Sequence, residues 1–409
     1  MSSADPNNAH RPAEAAAPDM VVAGHLCLDM FPAFPPGLSG GVSDILRPGS
    51  LIEMEDIRFS TGGAVSNTGI AMRMFGLRVA FMARLGDDPI GRMTLERLSR
   101  HGNTDGVRLS PGEPSSYTVV LAPPGIDRIF LHCPGTNSSF SSDDIDFDMT
   151  GRAGGFHFGY PAVMRSLYSD GGERLAEMFR RVKDTGATTS LDLAMPDPNS
   201  DSGQADWQAI LERTLPWVDV FVPSIEEAFY SLRPADFLLQ KTSHPGEALI
   251  PHIPPRLYSE LSDEFVELGC AVVMLKAGPH GLYLRTGTPE RLHRMGRVKP
   301  SDAGRWIGRE LWSPSFDVKD IASATGAGDT AIAAFLTAML RGHGPEACLR
   351  LSNAAAALNL TEFDALSGLG SWRDVERRSA GAALTPLGSL ERDGEWTWRG
   401  DRTVWERGI

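Results

Sequence analysis

Short apolar runs alternate with helix-like segments along most of the 409-residue chain, and this alternation constrains the fold more than any other feature. We predict buried strands over residues 20–24, 78–83, 155–158, 188–192, 219–222 and 271–275, and helices over residues 64–75, 89–100, 173–185, 205–214, 326–341 and 344–360. Strands that alternate with helices form a parallel sheet with helices on both faces. The sequence therefore predicts an α/β protein.

Two stretches interrupt this alternation with strand-like patterns of their own. Residues 51–59 alternate only in part, which favours a half-exposed strand. Residues 117–122 and 128–133 flank the turn sequence PPGID and predict a hairpin. Because these strands fall outside the strand–helix rhythm, we expect them to form a small separate sheet.

Three further segments do not fit the alternation. Residues 235–258, which contain HPGEALIPHIPP, are interpreted as a loop insertion, and residues 286–316 as irregular or as a hairpin. The last thirty residues are polar but carry Trp396, Trp398 and Trp405. Three tryptophans are costly to leave in water, so we expect this tail to pack on a surface.

Composition narrows the class of protein. The formal net charge of −13 disfavours nucleic acid and anionic membranes as partners, although it is compatible with a local site for a small anion. Four cysteines stand far apart without a C-x-x-C pair, which argues against a zinc site or a disulfide framework and favours the cytoplasm. No run approaches the ~18 apolar residues that a membrane-spanning helix needs. Residues 1–19 lack the features of a secretory signal and are interpreted as a flexible tail.

The sequence SATGAGDT at residues 323–330 leads directly into an apolar helical run. The free amides and positive dipole of a helix start attract phosphate, and glycines let the backbone come close. A turn that merely caps the helix is the simplest alternative. A dinucleotide site is another, because Gly326-x-Gly328-x-x-Ala331 fits the Gly/Ala fingerprint and Glu346 lies at the distance of a ribose-binding acid.

Three features weigh against the dinucleotide site. Residues 331–360 have only a helical pattern where a second strand is required, and the motif lies near the C-terminal end. Asp329 would also place a carboxylate where the pyrophosphate should lie. In phosphoryl transfer, by contrast, one group accepts the proton of the attacking hydroxyl while fixed donors hold the transferring oxygens. Asp329 can be that base, and the amides of residues 326–329 can be those donors.

Six motifs in order resemble those of the ribokinase or PfkB-type sugar kinase family, across about residues 20–375. SATGAGDTA resembles the D-T-x-G-A-G-D signature, and STGGAVSN at 60–67 resembles the G-G-x-x-x-N motif. The others are GHLCLD at 24–29, RLGDDPIGR at 84–92, VPSIEEA at 222–228 and LKAGPHG at 275–281. The resemblance implies a three-layer αβα sandwich with a mainly parallel sheet, and a small β-sheet lid from about residues 30–61 and 114–135. The insertion at 235–258 and a C-terminal extension over 376–409 are additions to the family pattern.

The resemblance also implies a reaction. ATP would be the phosphoryl donor, Mg²⁺ would bridge its phosphates, and a hydroxymethyl group of a sugar or nucleoside would be the acceptor. By this resemblance, Asp329 would be the base, and the anion hole would be formed by Gly326, Ala327 and Gly328. Sugar hydroxyls would be held by Asp29, Gly62, Gly63 and Asn67, and Glu227 would act on the Mg²⁺ water shell. The residues near the nucleotide would be Thr325, Lys276, Gly278, Gly281 and Asn353. The edge of the lid sheet can pair between subunits, so a homodimer is expected.

Three more candidates come from the ends of predicted strands. His157 and Tyr160, in FHFGYP, end one apolar run and Asp192 ends another, and the carboxyl ends of parallel strands are where α/β sites form. All three are candidates for contact with substrate. For Asp192, capping of a loop is the alternative.

The chain departs from the family pattern at three positions. Ser323 and Ala324 stand where the signature has Asp-Thr, which removes a carboxylate often placed near a monovalent cation and leaves that requirement open. Ser224 replaces the asparagine of the N-x-x-E motif. These losses motivate a second hypothesis, a catalytically weak sugar- or nucleotide-binding protein. The acceptor stays open between ribose, fructose, a 2-keto-3-deoxy acid, a nucleoside and a sugar phosphate.

Overall fold

A computed structural model of the protein describes residues 17–38, 41–123, 128–362, 364–381 and 383–408. Most of the predicted N-terminal tail and most of the PPGID turn lie outside the described residues. The strands are β1 Met20–Gly24, β2 Cys27–Pro32, β3 Ile57–Gly62, β4 Val79–Gly86, β5 Asn103–Ser110, β6 Tyr117–Leu121, β7 Ile129–Cys133, β8 Gly155–Gly159, β9 Thr188–Asp192, β10 Val220–Phe221, β11 Val272–Lys276, β12 Leu282–Thr286, β13 Glu310–Ser313, β14 Trp396–Arg399 and β15 Val404–Arg407.

The α-helices follow the predicted alternation, with several additional short helices. They are α1 Val42–Ile45, α2 Ala64–Met74, α3 Pro89–Ser99, α4 Phe147–Arg152, α5 Glu173–Asp184, α6 Trp207–Thr214, α7 Ile225–Leu232, α8 Pro234–Ser243, α9 Pro255–Leu268, α10 Pro289–His293, α11 Ala327–Leu340, α12 Pro345–Asn359, α13 Trp372–Gly381 and α14 Gly388–Asp393. In the described part of the chain, no helix is both long and apolar enough to cross a membrane.

The larger sheet has the order β14-β15-β13-β12-β11-β10-β9-β8-β1-β4-β5 within the described residues. Strands β11 to β5 in this order run parallel, whereas β12 to β15 join through antiparallel pairs. The order changes direction at β1, because the chain continues to β4 and β5 on one side and to β8 and β9 on the other. In open α/β sheets, a ligand crevice forms at the carboxyl ends of the strands beside such a change of direction.

Helices cover both faces of this sheet, as predicted. Successive side chains of a strand point to opposite faces, and β1 shows this directly. Val21 and Ala23 belong to one buried apolar cluster with residues of α5, α6 and α9, whereas Met20 and Val22 belong to a second cluster with residues of α2, α11 and α12. The result is the three-layer α/β/α arrangement that the resemblance implies.

The smaller sheet has the order β3-β2-β6-β7 and includes the predicted β6–β7 hairpin. Strand β2 pairs antiparallel with β3 and parallel with β6. Because only His25 and Leu26 separate β2 from β1, this sheet lies beside the carboxyl end of β1. We call these four strands the lid.

The predicted strand over residues 51–59 is wrong for residues 51–56, since β3 begins at Ile57. Its partner β2 ends at Pro32, opposite Ile57. Beyond this pair the two segments still exchange backbone hydrogen bonds, from Ala33 to Asp56 at 3.2 Å and from Glu55 to Ala33 at 2.9 Å, but without regular strand geometry. Leu51 is left exposed.

The predicted loop over residues 235–258 is also wrong in large part, because α8 occupies Pro234–Ser243 and α9 begins at Pro255. Pro234 opens α8 at the position where its missing amide is tolerated. The buried ring of Phe237 packs edge-on against Phe229 and Tyr230, with centroids 5.7 and 5.3 Å apart. One buried ring thus anchors a helix whose neighbouring leucines at 238 and 239 are exposed, which hides the apolar periodicity.

The prediction that the C-terminal extension packs on a surface is incomplete, because the extension also joins the central sheet. Strands β14 and β15 form a hairpin, and β15 pairs with β13, so the extension adds two strands to the central sheet. Trp396 is buried, with its ring centroid 6.0 Å from that of Trp312 and 6.2 Å from that of Tyr283. This hairpin covers an edge that β13 would otherwise leave unpaired.

Candidate active site

Residues 325–329, which we call the anion site, form the start of α11. Gly326 adopts a left-handed φ of 78°, and a side chain there would overlap Ala365, so the position requires glycine. The first amides of a helix have no partner within it and carry the positive end of its dipole. This turn therefore has the shape and the polarity that an anionic group needs.

Asp329, on the first turn of α11, is buried and accepts hydrogen bonds from three side chains. Asn67 Nδ2 donates to Oδ2 at 3.0 Å, and Thr68 Oγ1 donates to Oδ1 at 3.1 Å. The Tyr160 hydroxyl lies between the two oxygens, 2.9 Å from Oδ1 and 2.8 Å from Oδ2. Contacts from α2 and from the end of β8 therefore fix the orientation of this carboxylate.

These donors leave room for one more at Asp329. An ionised carboxylate has about four acceptor positions, whereas the amide and the two hydroxyls supply three hydrogens. The hydroxyl of an acceptor molecule can occupy the remaining position. Asp329 is thus held in place and still able to receive a proton.

Asn67, predicted to hold sugar hydroxyls, directs its amide nitrogen to Asp329 instead. Its Oδ1 atom is buried and has no hydrogen-bond partner among the described residues. A hydroxyl of a bound sugar would satisfy that atom. The sugar contact therefore stays a prediction, now restricted to one atom.

Tyr160, a candidate for substrate contact, directs its hydroxyl to Asp329, whereas Thr68 was not among the predicted site residues. Tyr160 follows β8 with a φ of 71°, a left-handed conformation that is uncommon for any residue except glycine. Strands β1, β8 and β9 end in register at Gly24, Gly159 and Asp192. The position of Tyr160, one residue beyond the end of a central parallel strand, makes it a candidate from sequence, but its contact with Asp329 appears only in the structure.

His157, predicted at the end of β8, is completely buried within the sheet. Its Nδ1 atom lies 3.0 Å from Ser190 Oγ. Burial, together with the nearby charge of Lys276, lowers the pKa of His157 to about 3, so the ring is neutral. The structure places His157 beneath the site, and contact with substrate stays a prediction.

Lys276 and Asp192 form a buried ion pair at the carboxyl ends of β11 and β9, with Nζ 2.6 Å from Oδ1. Burial acts to lower the pKa of Lys276, but the carboxylates of Asp192, Glu227 and Asp329 outweigh it and raise the pKa. The aliphatic part of the lysine lies 3.4 Å from the point that a Cβ of Gly328 would occupy. A fixed positive charge therefore lies beside the anion site.

Asp29 lies in the lid on β2, close to Gly62 on the paired strand β3. A side chain at position 62 would overlap the Asp29 carboxylate, so the first glycine of the predicted motif makes room for this acid. Cys27 Sγ donates to Asp29 Oδ1 at 3.2 Å. Burial raises the pKa of Asp29 to about 6.

His25 occupies the bend between β1 and β2, next to Gly63. A side chain on Gly63 would overlap the His25 ring and backbone, and Gly63 itself has a φ of 90° at the start of α2. The His25 ring centroid lies 6.1 Å from that of Tyr160. The glycine pair thus lets α2 approach both the imidazole and the acid of the lid.

Arg128 connects the lid to the anion site. Its guanidinium, just before β7, hydrogen-bonds to the hydroxyl of Thr325. Ser323 Oγ accepts the amide of Thr325 at 3.0 Å, so the serine that replaces the family aspartate stabilises the turn. The lid therefore contacts the predicted phosphate position through a cation that the sequence reasoning did not select.

The nucleotide-side candidates already have structural contacts. Asn353 Nδ2 lies 3.0 Å from the backbone oxygen of Ser313 and 3.1 Å from that of Pro314. Gly278 and Gly281 adopt φ angles of 50° and 85° in the turn between β11 and β12. These residues shape the surface beside the anion site, and their contact with nucleotide stays a prediction.

Glu227 stabilises the start of α7, where its Oε2 accepts the amide of Ser224 at 2.6 Å. No group of three or more His, Cys, Asp or Glu side chains forms a ready metal site in the described part of the chain. However, Asp192, Glu227 and Asp329 all raise the pKa of Lys276, so these carboxylates lie in its neighbourhood. Mg²⁺ is commonly held by one or two carboxylates together with substrate phosphates. These residues therefore fit Mg²⁺ when a nucleotide supplies the remaining ligands.

Comparison with known proteins shows that this chain is similar to sugar kinases. The family model described as "pfkB family carbohydrate kinase" matches residues 38–235 and 308–370, together more than half of the chain. A sugar kinase of Archaeoglobus fulgidus is 24% identical over 73% of this chain and 98% of its own length. A 2-dehydro-3-deoxygalactonokinase of Haloferax volcanii is 26% identical over 75% of this chain and 83% of its own length.

Solved structures of two sugar kinases share the fold. Ribokinase of Arabidopsis thaliana, complexed with ribose and ATP, superposes with a TM-score of 0.63 at 21% identity, over 89% of this chain and 99% of its own. Fructokinase of Xylella fastidiosa with bound ATP superposes with a TM-score of 0.64 at 19% identity, over 88% of this chain and 98% of its own.

Proposed function

The chain belongs to the PfkB family of carbohydrate kinases and is a phosphotransferase; from this premise we propose that it transfers the γ-phosphate of ATP to a hydroxymethyl group of a sugar. The observation that carries the proposal is the buried, oriented carboxylate of Asp329 on the first turn of α11. A carboxylate there would repel a resting phosphate, but it can receive a proton from an attacking alcohol.

The acceptor hydroxyl donates to the free position on Asp329, which aligns its oxygen for attack. As the new P–O bond forms and the bond to ADP breaks, the hydroxyl proton passes to Asp329. The amides of residues 326–328 hold the transferring oxygens while charge develops on them. A carboxylate is a weak base, which suffices because the transition state is loose and the proton leaves late.

Two cations, one on the central sheet and one from the lid, would support the transferring group. Lys276 is fixed by Asp192 beside Gly328, and Arg128 reaches Thr325 from the lid. Both can neutralise phosphate oxygens without reorganising during the reaction. Mg²⁺ held by Glu227 and the ATP phosphates would supply additional charge neutralisation.

The assignment of ATP rests on the anion site and on the two similar structures that contain ATP. Thr325, Gly278, Gly281 and Asn353 would border the nucleotide. Asp29, Gly62, Gly63 and Asn67 would border the sugar, beneath the lid. Closure of the lid excludes water, so that transfer to the sugar competes successfully with hydrolysis.

The exposed edge of the lid supports a homodimer. Phe130 and Leu131 on the edge strand β7 are more than half exposed, and Ile57 on the other edge strand is also exposed. Unpaired strand edges with apolar side chains are commonly covered by another chain. Pairing of two lids would cover them.

The proposed function is tested by ADP release with a panel of acceptors: D-ribose, D-fructose, 2-dehydro-3-deoxygluconate, adenosine and D-fructose 6-phosphate. We expect ATP- and Mg²⁺-dependent turnover with at least one of them, and phosphate on its hydroxymethyl group by NMR. Binding of sugar and ATP without turnover on any acceptor would favour the alternative of a catalytically weak binding protein.

A further inference from the structure

The imidazole of His25 is buried without a hydrogen-bond partner. Its residue is only 5% exposed, and neither Nδ1 nor Nε2 has a partner among the described residues. Buried polar side chains are normally paired, because an unpaired group loses its hydration without compensation. An imidazole left unpaired on both nitrogens beside a binding site therefore points to a ligand that supplies the missing partners.

His25 lies on the acceptor side of the base. Its ring is 6.1 Å from that of Tyr160, whose hydroxyl contacts Asp329. On its other side, the His25 ring is 5.3 Å from that of His132 in the lid strand β7. A sugar with its hydroxymethyl group at Asp329 would extend past His25 towards the lid.

The lid contributes the rest of this wall. His132 Nδ1 lies 3.1 Å from Thr118 Oγ1, and Thr118 is paired with Asp29 across β6 and β2. We call His25, Asp29, Thr118 and His132 the acceptor wall. It combines one residue of the β1–β2 bend with three residues of the lid.

The acceptor wall carries no positive charge of its own. Burial lowers the pKa of His25 to about 3, with His132 contributing, and burial also lowers the pKa of His132, so both rings are neutral. The groups that shift the pKa values of His25, Asp29 and His132 include no lysine or arginine. The two cations described at the site, Lys276 and Arg128, contact the anion site instead.

Resting on the proposed function, we propose that His25 contacts the acceptor directly and that the acceptor wall selects a neutral sugar over a sugar acid or sugar phosphate. A neutral imidazole has one donor and one acceptor nitrogen, which match hydroxyl groups. An anionic group here would lose its hydration next to the Asp29 carboxyl with no cation to compensate. A preference for a neutral sugar would distinguish this chain from two relatives that are named as kinases of 2-dehydro-3-deoxy sugar acids and are each 26% identical to it.

The test measures binding rather than turnover, so it is independent of the proposed reaction. The full-length protein is titrated calorimetrically at pH 7.5, with a non-hydrolysable ATP analogue present, against D-ribose, D-fructose and adenosine. The anionic probes are D-fructose 6-phosphate and 2-dehydro-3-deoxygluconate. We expect at least one neutral ligand to bind, and D-fructose 6-phosphate and the sugar acid to bind at least tenfold more weakly.

Two variants of His25 identify its contact. His25→Ala should weaken binding of the neutral ligand at least tenfold. His25→Asn, which retains one donor and one acceptor, should recover part of the lost affinity. His293→Ala, in which an exposed imidazole on α10 is removed, is the matched control and should bind as the wild type does. Circular dichroism and melting temperature establish that each variant is folded.

The outcomes separate this inference from the proposed function. Tighter binding of an anionic probe, absence of binding by every neutral ligand, or unchanged affinity in both folded His25 variants would overturn the inference. If a neutral sugar binds in a His25-dependent manner but is never phosphorylated, the inference holds and the proposed function fails.

Discussion

The hydroxyl of Tyr160 lies 2.9 and 2.8 Å from the two carboxylate oxygens of Asp329, although 169 positions separate the residues in sequence. Tyr160 sits in a left-handed conformation one residue beyond β8. Such a conformation costs on the order of 1–3 kcal/mol and persists where surrounding structure enforces it. The tyrosine therefore fixes the carboxylate relative to the end of the central sheet.

Replacing Tyr160 by Phe should lower kcat by about 10- to 100-fold with little change in KM for ATP, because the base loses one orienting donor while the anion site is intact. Steady-state kinetics with the acceptor identified by the panel would measure this. Tyr258→Phe is the control, since the Tyr258 hydroxyl is also buried but has no partner among the described residues. Equal kcat values for the two variants would show that the Tyr160 hydroxyl does not contribute to catalysis.

Replacing Lys276 by Met should destabilise the protein by about 3–5 kcal/mol, because the buried carboxylate of Asp192 loses its partner. The double variant with Asp192→Asn should regain most of that stability in urea unfolding but not the turnover, since the charge beside the anion site is still absent. Recovery of both would show that the lysine serves stability alone.

The raised pKa of Asp29 predicts a specific pH dependence of the free energy of unfolding. Its pKa is about 6 in the folded protein against an ordinary 3.8. Between these values the folded state retains a proton that the unfolded chain has released, so wild-type stability falls as pH rises from about 4 to 7. Asp29→Asn carries no such titration.

The stability of Asp29→Asn relative to wild type should therefore increase by about 2–3 kcal/mol between pH 4 and 7, at 1.36 kcal/mol per pKa unit. Urea unfolding at a series of pH values measures the difference, and Asp393→Asn, at an exposed position, is the control. A difference independent of pH would contradict the burial of an acid at position 29.

A comparison of two glycines with nearly the same φ distinguishes the effect of backbone conformation from the effect of steric overlap at the anion site. Gly326 and Gly112 have φ of 78° and 79°, but only at Gly326 would a side chain collide, with Ala365. Gly326→Ala should abolish most turnover because the anion-site amides are displaced. Gly112→Ala should cost only about 1 kcal/mol and leave kcat unchanged. Comparable turnover of both variants would mean that the turn does not hold phosphate.

The layered fold and the positions of most strands and helices could be predicted because they depend on local periodicity. The clustering of Asp329 with Asn67 and Thr68 could not, because it depends on how α11 packs against α2 on one face of the sheet. Tyr160 could be selected as a residue near a strand end, but its contact with Asp329 could not be predicted, because it depends on how the end of β8 meets the first turn of α11.

Two errors had other physical causes. Helix α8 has one buried aromatic ring among exposed leucines, so its apolar periodicity does not appear in the sequence. The C-terminal hairpin joins the sheet through β13, and long-range pairing of short strands leaves no local pattern. The tryptophans of the tail indicated burial but not a sheet edge as their partner.

The identity of the base is tested most directly by Asp329→Asn, measured for turnover and for ATP binding in parallel. The substitution keeps the size of the side chain and its buried position but removes its ability to receive a proton. We expect kcat to fall by at least about 10²- to 10⁴-fold, while calorimetry with a non-hydrolysable ATP analogue shows an affinity within a few-fold of wild type. Turnover close to that of wild type on the confirmed acceptor would contradict the account.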